Sequence, residues 1–293
     1  MNKKHLCKIC SSDRIEFVGA KKGRQIKKAY KVFHCLNCDY RFIINPSINY
    51  DAIYNENYYN GKGADPKVAF FYECNHPEKT IRRYEWQGIV DIIALQLPLN
   101  KTTRWLDFGC GLGGLVKWVQ NTTRCDVRGY EEGLAAQFAR HYNVPVLHKT
   151  DIKNCKEKFD VVTAIEVLEH VVEPLEVLKL IRACMKPGGV FFFTTGNAAK
   201  FKKNILNWGY LIPEIHVSFF EPKTIEYAFK RSGFEPIFTK HALGFEKIIT
   251  YKILKNLGIK NIGLWQKLLP WKNLTLLADK KYGVTAFPFG KAV

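Results

Sequence analysis

The chain has 293 residues, of which 47% are apolar and 25% charged. That is enough to bury one core of roughly 200 residues with a smaller unit attached, and it excludes a disordered chain. Lys and Arg number 45 against 27 Asp and Glu, a net charge of +18, which directs attention to anionic partners. The excess sits at the two ends: residues 1–41 carry eleven basic and three acidic side chains and residues 239–293 carry ten and two, while the middle is almost balanced. Met1–Arg14 has lysines with no apolar run behind them. The longest apolar stretches, such as Ile89–Leu99, fall short of the ~20 residues that span a bilayer. The expectation is a cytoplasmic protein, and nine cysteines, an odd number, do not suit a secreted disulfide framework.

Four of those cysteines form two CxxC knuckles, Cys7/Cys10 and Cys35/Cys38. Each knuckle aims two thiolates at one point, and two facing knuckles supply the four soft ligands of tetrahedral zinc. Between them Ile15–Val18 and Tyr30–His34 alternate, joined by Lys21, Lys22 and Gly23, which predicts a hairpin. A zinc ribbon over residues 1–45 is expected, its metal structural and its lysines offsetting the charge of the thiolates. Four free thiols or a redox pair is the alternative. Residues 46–76, rich in Tyr, Asn and Gly, read as a linker and cap.

A domain over residues 77–293 opens on a helical pattern, Glu78–Leu95, and from residue 104 alternates short apolar runs with amphipathic stretches, which predicts an α/β fold, a Rossmann-like doubly wound parallel sheet with ligands at the carboxyl ends of its strands. The first such end is Leu106-Asp-Phe-Gly-Cys-Gly-Leu-Gly-Gly114. Gly109, Gly111 and Gly114 satisfy the dinucleotide pattern, and Gly113 adds a further point of close approach. Asp107, two residues before the first glycine, stands where a dinucleotide binder has an apolar residue. A carboxylate there calls for a cation, and the α-ammonium of S-adenosylmethionine is one. At the second strand end Glu131 suits two ribose hydroxyls. At the third Asp151 suits an adenine amino group, with Ile152 against the ring, and at the fourth Glu166 lines the cleft.

LDFGCGLGG, GYEEG, FDVVTAIEVLEHVVEP, MKPGG and HVSFFEPKTIEYAFKRSGF stand in the order of a known family. Over nearly its whole length the chain resembles class I S-adenosylmethionine-dependent methyltransferases of the branch with an N-terminal zinc ribbon. The resemblance implies S-adenosylmethionine as cofactor. It also implies a small-molecule, sugar or glycan acceptor, such as a nucleotide-sugar or surface polysaccharide precursor, and other members resemble quinone O-methyltransferases. The basic flanks add the expectation that the acceptor is anionic and phosphorylated.

Methyl transfer from a sulfonium is chiefly positioning, assisted by a base of suitable pKa. His216 and His170 are the candidates, with Glu214 to orient His216. At the C-terminus a basic helical insertion, about 243–271 and including Trp265 and Trp271, is expected to be a core-facing helix with a solvated lysine face, the alternative being a lip over the site or a surface resting on a membrane, followed by a last strand over Leu274–Tyr282. Two other classes fit the sequence less well. A nicotinamide-dependent oxidoreductase is disfavoured by Asp107. A zinc-containing nucleic-acid-binding protein or RNA methyltransferase is disfavoured by the lack of aromatic-basic interleaving.

Overall fold

The computed structural model describes residues 5–47, 49–66, 69–155, 158–239, 244–263, 270, 273–277 and 287–293. Strands β1 (Ile15–Lys22) and β2 (Ala29–Cys35) form the expected hairpin, with Ile15 opposite Cys35 and Lys22 opposite Ala29. The short strand β3 (Arg41–Ile43) pairs with β2. The cysteines therefore lie at the base of the ribbon and the turn Gly23–Lys28 at its far tip.

The Tyr/Asn/Gly-rich stretch is ordered by its own side chains. Asn49 and Asn55 each accept a backbone N–H in the first turn of the helix that follows, α1 (Tyr50–Ile53) and α2 (Glu56–Tyr59), the ordinary work of an N-cap asparagine. Helices α3 (Phe70–Asn75) and α4 (Arg82–Ala94) lead into the main sheet.

Alternation then runs as the sequence predicts: β4 (Arg104–Phe108), α5 (Gly114–Thr122), β5 (Asp126–Tyr130), α6 (Gly133–His141), β6 (Val146–Leu147), α7 (Lys149–Lys153), β7 (Phe159–Ile165), α8 (Pro174–Ala183), β8 (Met185–Thr194), β9 (Ser218–Phe219), α9 (Pro222–Ser232), β10 (Phe234–Thr239), α10 (Phe245–Asn256) and β11 (Phe287–Ala292). The large sheet has the order β10-β11-β8-β7-β4-β5-β6. The pairs linking β8, β7, β4, β5 and β6 are parallel, and β11 runs antiparallel to both neighbours.

A sheet covered on both faces needs apolar residues at successive positions, and β8 supplies them. Phe191 and Phe193 pack with Phe229 and Phe234 on one side, while Val190 and Phe192 join Trp105, Ile89 and Ile248 on the other. Helices α4 and α10 meet at Gly88, where a Cβ would come within 2.5 Å of the Gly244 carbonyl oxygen.

Two findings differ from the sequence reading. The last strand is Phe287–Ala292, not Leu274–Tyr282: residues 273–277 are helical, and 278–282 lie outside the described residues. The helical insertion is seen as α10, with Trp265 and Trp271 also outside the described residues. The ribbon is also tied to the rest of the chain. Its sheet takes a fourth strand, β9, from far along the chain, with Phe42 opposite Ser218. Tyr40 Oη and Ser218 Oγ are 2.6 Å apart, Thr224 Oγ1 donates to the Cys38 carbonyl at 2.8 Å, and the buried Arg41 guanidinium donates to Glu221. Among the described residues no helix is long and apolar enough to cross a membrane.

Candidate active site

Where β4 and β5 end, the chain turns back over a cavity of about 1270 Å³ lined by Asp107, the glycine loop, Glu131, Glu166, His170 and His216. Asp107 lies opposite Gly129 on one side and Thr163 on the other. Thr163 Oγ1 donates to its carboxylate at 2.8 Å, and the Trp105 indole N–H donates to Thr163 in turn at 3.0 Å. Burial raises the Asp107 carboxyl to about 7, with the charge of Glu131 adding to the effect. Among the described residues no cation pairs with it, so this is a buried carboxylate ready for one.

Gly109, Gly111 and Gly113 all have left-handed backbone (φ 75°, 54° and 85°). A Cβ on Gly109 would strike Val167 at 2.5 Å and one on Gly113 would strike Val144 at 2.4 Å, whereas one on Gly111 would meet nothing within 4 Å. Gly111 therefore faces the open cavity, and Gly113 serves the close approach of the loop to Val144, just before β6, rather than the lining. Glu131 accepts N–H bonds from Gly111 (2.8 Å) and Glu132 (2.9 Å), which fixes the loop against the end of β5. Burial raises its pKa.

Across the cavity lies a segment that the sequence reading assigned only in part. His216 donates from Nδ1 to the Tyr210 carbonyl oxygen, which leaves Nε2 with the lone pair. His170 is held through Nδ1 at 2.9 Å from both the Ile215 carbonyl oxygen and Tyr54 Oη. The two imidazole centroids are 4.7 Å apart. Burial lowers His170, and burial together with the neighbouring imidazole lowers His216 to about 3, so both are neutral at physiological pH.

Tyr210 carries no periodicity or motif that would have marked it, yet it organises this wall. Its hydroxyl receives the Gly196 N–H at 3.1 Å, lies 3.0 Å from Glu166 Oε2 and is hydrogen-bonded to Glu169 Oε1. One phenolic proton cannot serve two carboxylates, so one of the two must bring its own. Burial alone would raise Glu166, but Lys252 at 3.0 Å holds it well below the usual range. The proton therefore belongs to Glu169, which burial and the Glu166 charge raise to about 8.

A carboxyl raised above its unfolded pKa of about 4.3 contributes stability that is complete below that value and is lost as pH rises through the folded pKa. Glu169→Gln, which keeps the neutral shape, is expected to flatten the fall in Tm between pH 6 and pH 9 by at least about 1 kcal/mol, or ~2–4 °C. Thermal melts across that range check it, and an unchanged slope would refute the shared proton.

Three of the expected site residues lie elsewhere. Glu214 does not reach His216. Its carboxylate is buried against the tip of the ribbon, where Oε1 accepts the N–H groups of Arg24 (2.6 Å) and Gln25 (2.8 Å). The rigid Pro213 turn, with His216 N–H bonded to the Ile212 carbonyl, directs the two side chains to different neighbours. Asp151 closes the first turn of α7 by accepting the His148 N–H at 2.8 Å. Ile152 is fully buried in the core. Neither lines the cavity.

Lys252 was also missed as a site residue, because a lysine on a basic helix reads as solvated. Here it bridges Glu166 and, at 3.2 Å, Glu85.

The four ribbon thiols converge. All Sγ atoms lie within 4.8 Å of one another, with Cys7–Cys38 at 3.6 Å and Cys10–Cys35 at 3.5 Å.

A parallel sheet with one reversed strand, an acidic residue before a glycine loop and a second acid on the adjoining strand define the architecture of class I methyltransferases. The family profile described as a methyltransferase domain matches residues 79–238, and the chain belongs to that family. It is 35% identical over 105 residues to the ubiquinone biosynthesis O-methyltransferase of Actinobacillus pleuropneumoniae serotype 7, covering 31% of this chain and 45% of that protein. It is 56% identical over 107 residues to the enzyme of the same name from Histophilus somni, covering 31% and 44%. The chain thus spans less than half the length of these relatives. Among solved structures, an amino pentose methyltransferase from Micromonospora echinaspora aligns with a TM-score of 0.47 at 15% identity, over 76% of this chain and 97% of that one.

Proposed function

We propose that this chain transfers a methyl group from S-adenosylmethionine to a small-molecule acceptor, with oxygen as the atom methylated. The observation that carries the reading is the buried, cation-free Asp107 beside a left-handed glycine loop whose Gly111 faces open space. A dinucleotide would bring its pyrophosphate close to that carboxylate, and two like charges in a low dielectric repel strongly. The names of the ubiquinone-pathway relatives favour oxygen, and the basic ribbon favours an acceptor carrying an anion, as a nucleotide-linked sugar or glycan precursor does. Calorimetry of the protein with S-adenosylhomocysteine against NAD tests the cofactor: binding of NAD alone would overturn the proposal.

Asp107 would hold the α-ammonium group and Glu131 the ribose hydroxyls. When bound, the cofactor supplies an electrophilic methyl carbon on a sulfonium. The protein's part is to seat the acceptor on the Tyr54/Tyr58/Tyr210 wall, exclude water, and receive the hydroxyl proton. Neutral His216, fixed by the Tyr210 carbonyl, offers Nε2 as that proton acceptor. The ionised Glu166 is the nearby anion that favours the imidazolium as it forms.

His216→Ala is expected to lower kcat by roughly 10²–10⁴-fold with S-adenosylhomocysteine affinity intact. Because His216 protonates only near pH 3, wild-type turnover should not fall between pH 7 and pH 5 on its account, whereas an ordinary imidazole would lose its lone pair there. Unchanged turnover in His216→Ala would remove it as the base.

The four cysteines are read as a structural zinc centre. A tetrahedron with Zn–S bonds of about 2.3 Å has edges of ~3.8 Å, and the thiol separations suit it.

A further inference from the structure

Five of the eleven basic side chains of residues 1–41 lie away from the cysteines. In Lys21-Lys22-Gly-Arg24-Gln-Ile-Lys27-Lys28 there are five cations and no acid within eight residues. This run forms the hairpin tip, seven register steps from the Ile15/Cys35 end, or ~23 Å at about 3.3 Å per residue. At that distance, with screening over ~8 Å, these five side chains do nothing for the charge of the thiolates, and that role falls to basic residues at the cysteine end such as Lys8.

The tip instead leans over the mouth of the cavity. Glu214 anchors it through the Arg24 and Gln25 N–H groups, and Lys21 Nζ donates to the Trp208 carbonyl at 3.1 Å. Arg24 itself lines the cavity, its Nη1 donating to the Ala64 carbonyl at 3.1 Å and Nη2 to the Gly209 carbonyl at 3.5 Å.

Among the described residues, three of the four cations that line this cavity are neutralised by carboxylates: Arg82 by Glu85, Lys252 by Glu85 and Glu166, and Lys255 by Asp65. Arg24 is the exception. Carbonyl oxygens orient its guanidinium without cancelling its charge, and three of its five N–H groups remain. Lys27 and Lys28 likewise donate to backbone carbonyls, and among the described residues no carboxylate pairs with any of the five cations.

We infer that the ribbon tip is the anion subsite of the acceptor pocket, with Arg24 the residue that grips a phosphate or carboxylate group on the acceptor. This rests on the methyltransferase reading for the meaning of the pocket, but the subsite itself is testable without it. A planar guanidinium held edge-on by two carbonyls has the fork geometry for two acceptor oxygens, and the surrounding lysines raise the local anion concentration. The subsite gives the ribbon a part in acceptor recognition as well as in structure.

The full-length protein, saturated with S-adenosylhomocysteine, is titrated with inorganic phosphate and separately with acetate, following tryptophan fluorescence because Trp208 lies beside the tip. Saturable phosphate binding that Arg24→Ala weakens at least ten-fold, that Arg24→Lys partly restores and that leaves S-adenosylhomocysteine affinity within two-fold supports the subsite. The same pattern for acetate alone assigns it to a carboxylate. Absence of saturable binding of both probes, or equal binding by Arg24→Ala, overturns it. So does binding to anionic phosphatidylglycerol vesicles that needs Arg24 while neither small anion binds. Failure of the wild-type protein to bind S-adenosylhomocysteine refutes the cofactor reading instead, and the phosphate titration then judges the subsite on its own.

Discussion

Asp107→Ala is expected to weaken S-adenosylmethionine binding by roughly 30- to 150-fold, about 2–3 kcal/mol, the scale of a buried charge-assisted contact losing one partner. The reasoning begins with strand register. β4 is flanked by β5 and β7, so its carboxylate is enclosed on both sides by backbone and can be met only from the cavity. Burial raises it to about 7 in the absence of a cation. Near neutrality a substantial fraction is therefore protonated, and an arriving ammonium must favour the ionised form and release the proton.

Linkage gives the sign: cofactor affinity falls as pH drops below 7, because the proton and the ammonium compete for the same carboxylate. Asp107→Asn separates charge from shape. It keeps an acceptor for the Thr163 hydroxyl, so the strand end stays in place, but it should lose most of the affinity and all of this pH dependence. Calorimetry from pH 5.5 to 8 measures both. Wild-type affinity in Asp107→Asn would show that the carboxylate does not hold the cofactor.

What could be read from the sequence follows from how locally each feature is determined. Strand-helix alternation and the residues at strand ends are local, so Asp107, the glycine loop, Glu131 and Glu166 all come to one cavity as their positions imply. The cysteine knuckles are equally local. Contacts made across long separations left no such signal. Glu214 and His216 are two residues apart and look like one catalytic pair, but one reaches 190 residues back to the ribbon tip while the other faces the cavity.

Lys252 and Lys255, read as a solvated or membrane-facing stripe, are drawn inward by Glu166 and Asp65, and Lys247 is paired with Asp91. α10 is thus accounted for by carboxylates of its own chain. Asp151 misled for a different reason: an acid four residues after a strand end suits an adenine contact and a helix cap equally, and the cap prevails. The last strand was misplaced because a leucine-rich stretch at 274–277 does not distinguish helix from strand over so few residues.

Cys35→Ser is expected to have the largest effect on stability, and it should divide the two halves of the site. On the proposed zinc reading, loss of one of the four thiolates would remove metal binding worth on the order of 10 kcal/mol to a unit with little core of its own. The damage should not stop at the ribbon, because β9 completes the ribbon sheet. Ile43 N–H donates to the Val217 carbonyl at 2.9 Å, and Val217 N–H donates to the Glu169 carbonyl at 2.7 Å. Residues 210–217 are thereby suspended between the ribbon and the end of β7. Freeing the ribbon releases Tyr210 and His216 together, along with the Glu214 clamp on the hairpin tip.

The cofactor half hangs on a different sheet, β4 with β5 and β7, which takes no strand from the ribbon. Full-length Cys35→Ser should therefore lose stoichiometric zinc and at least ~10 °C of Tm, and its methyl-transfer turnover should fall by 100-fold or more, roughly the loss of a base and its positioning. Its S-adenosylhomocysteine affinity should stay within about two-fold, the ~0.5 kcal/mol within which effects at distant sites usually add. Metal analysis, melting and calorimetry on one preparation give all but the turnover. If affinity for S-adenosylhomocysteine collapsed in step with the melting temperature, the two sheets would be one cooperative unit and the acceptor wall would have no independent support. If turnover survived without metal, the ribbon would be holding nothing that the chemistry needs.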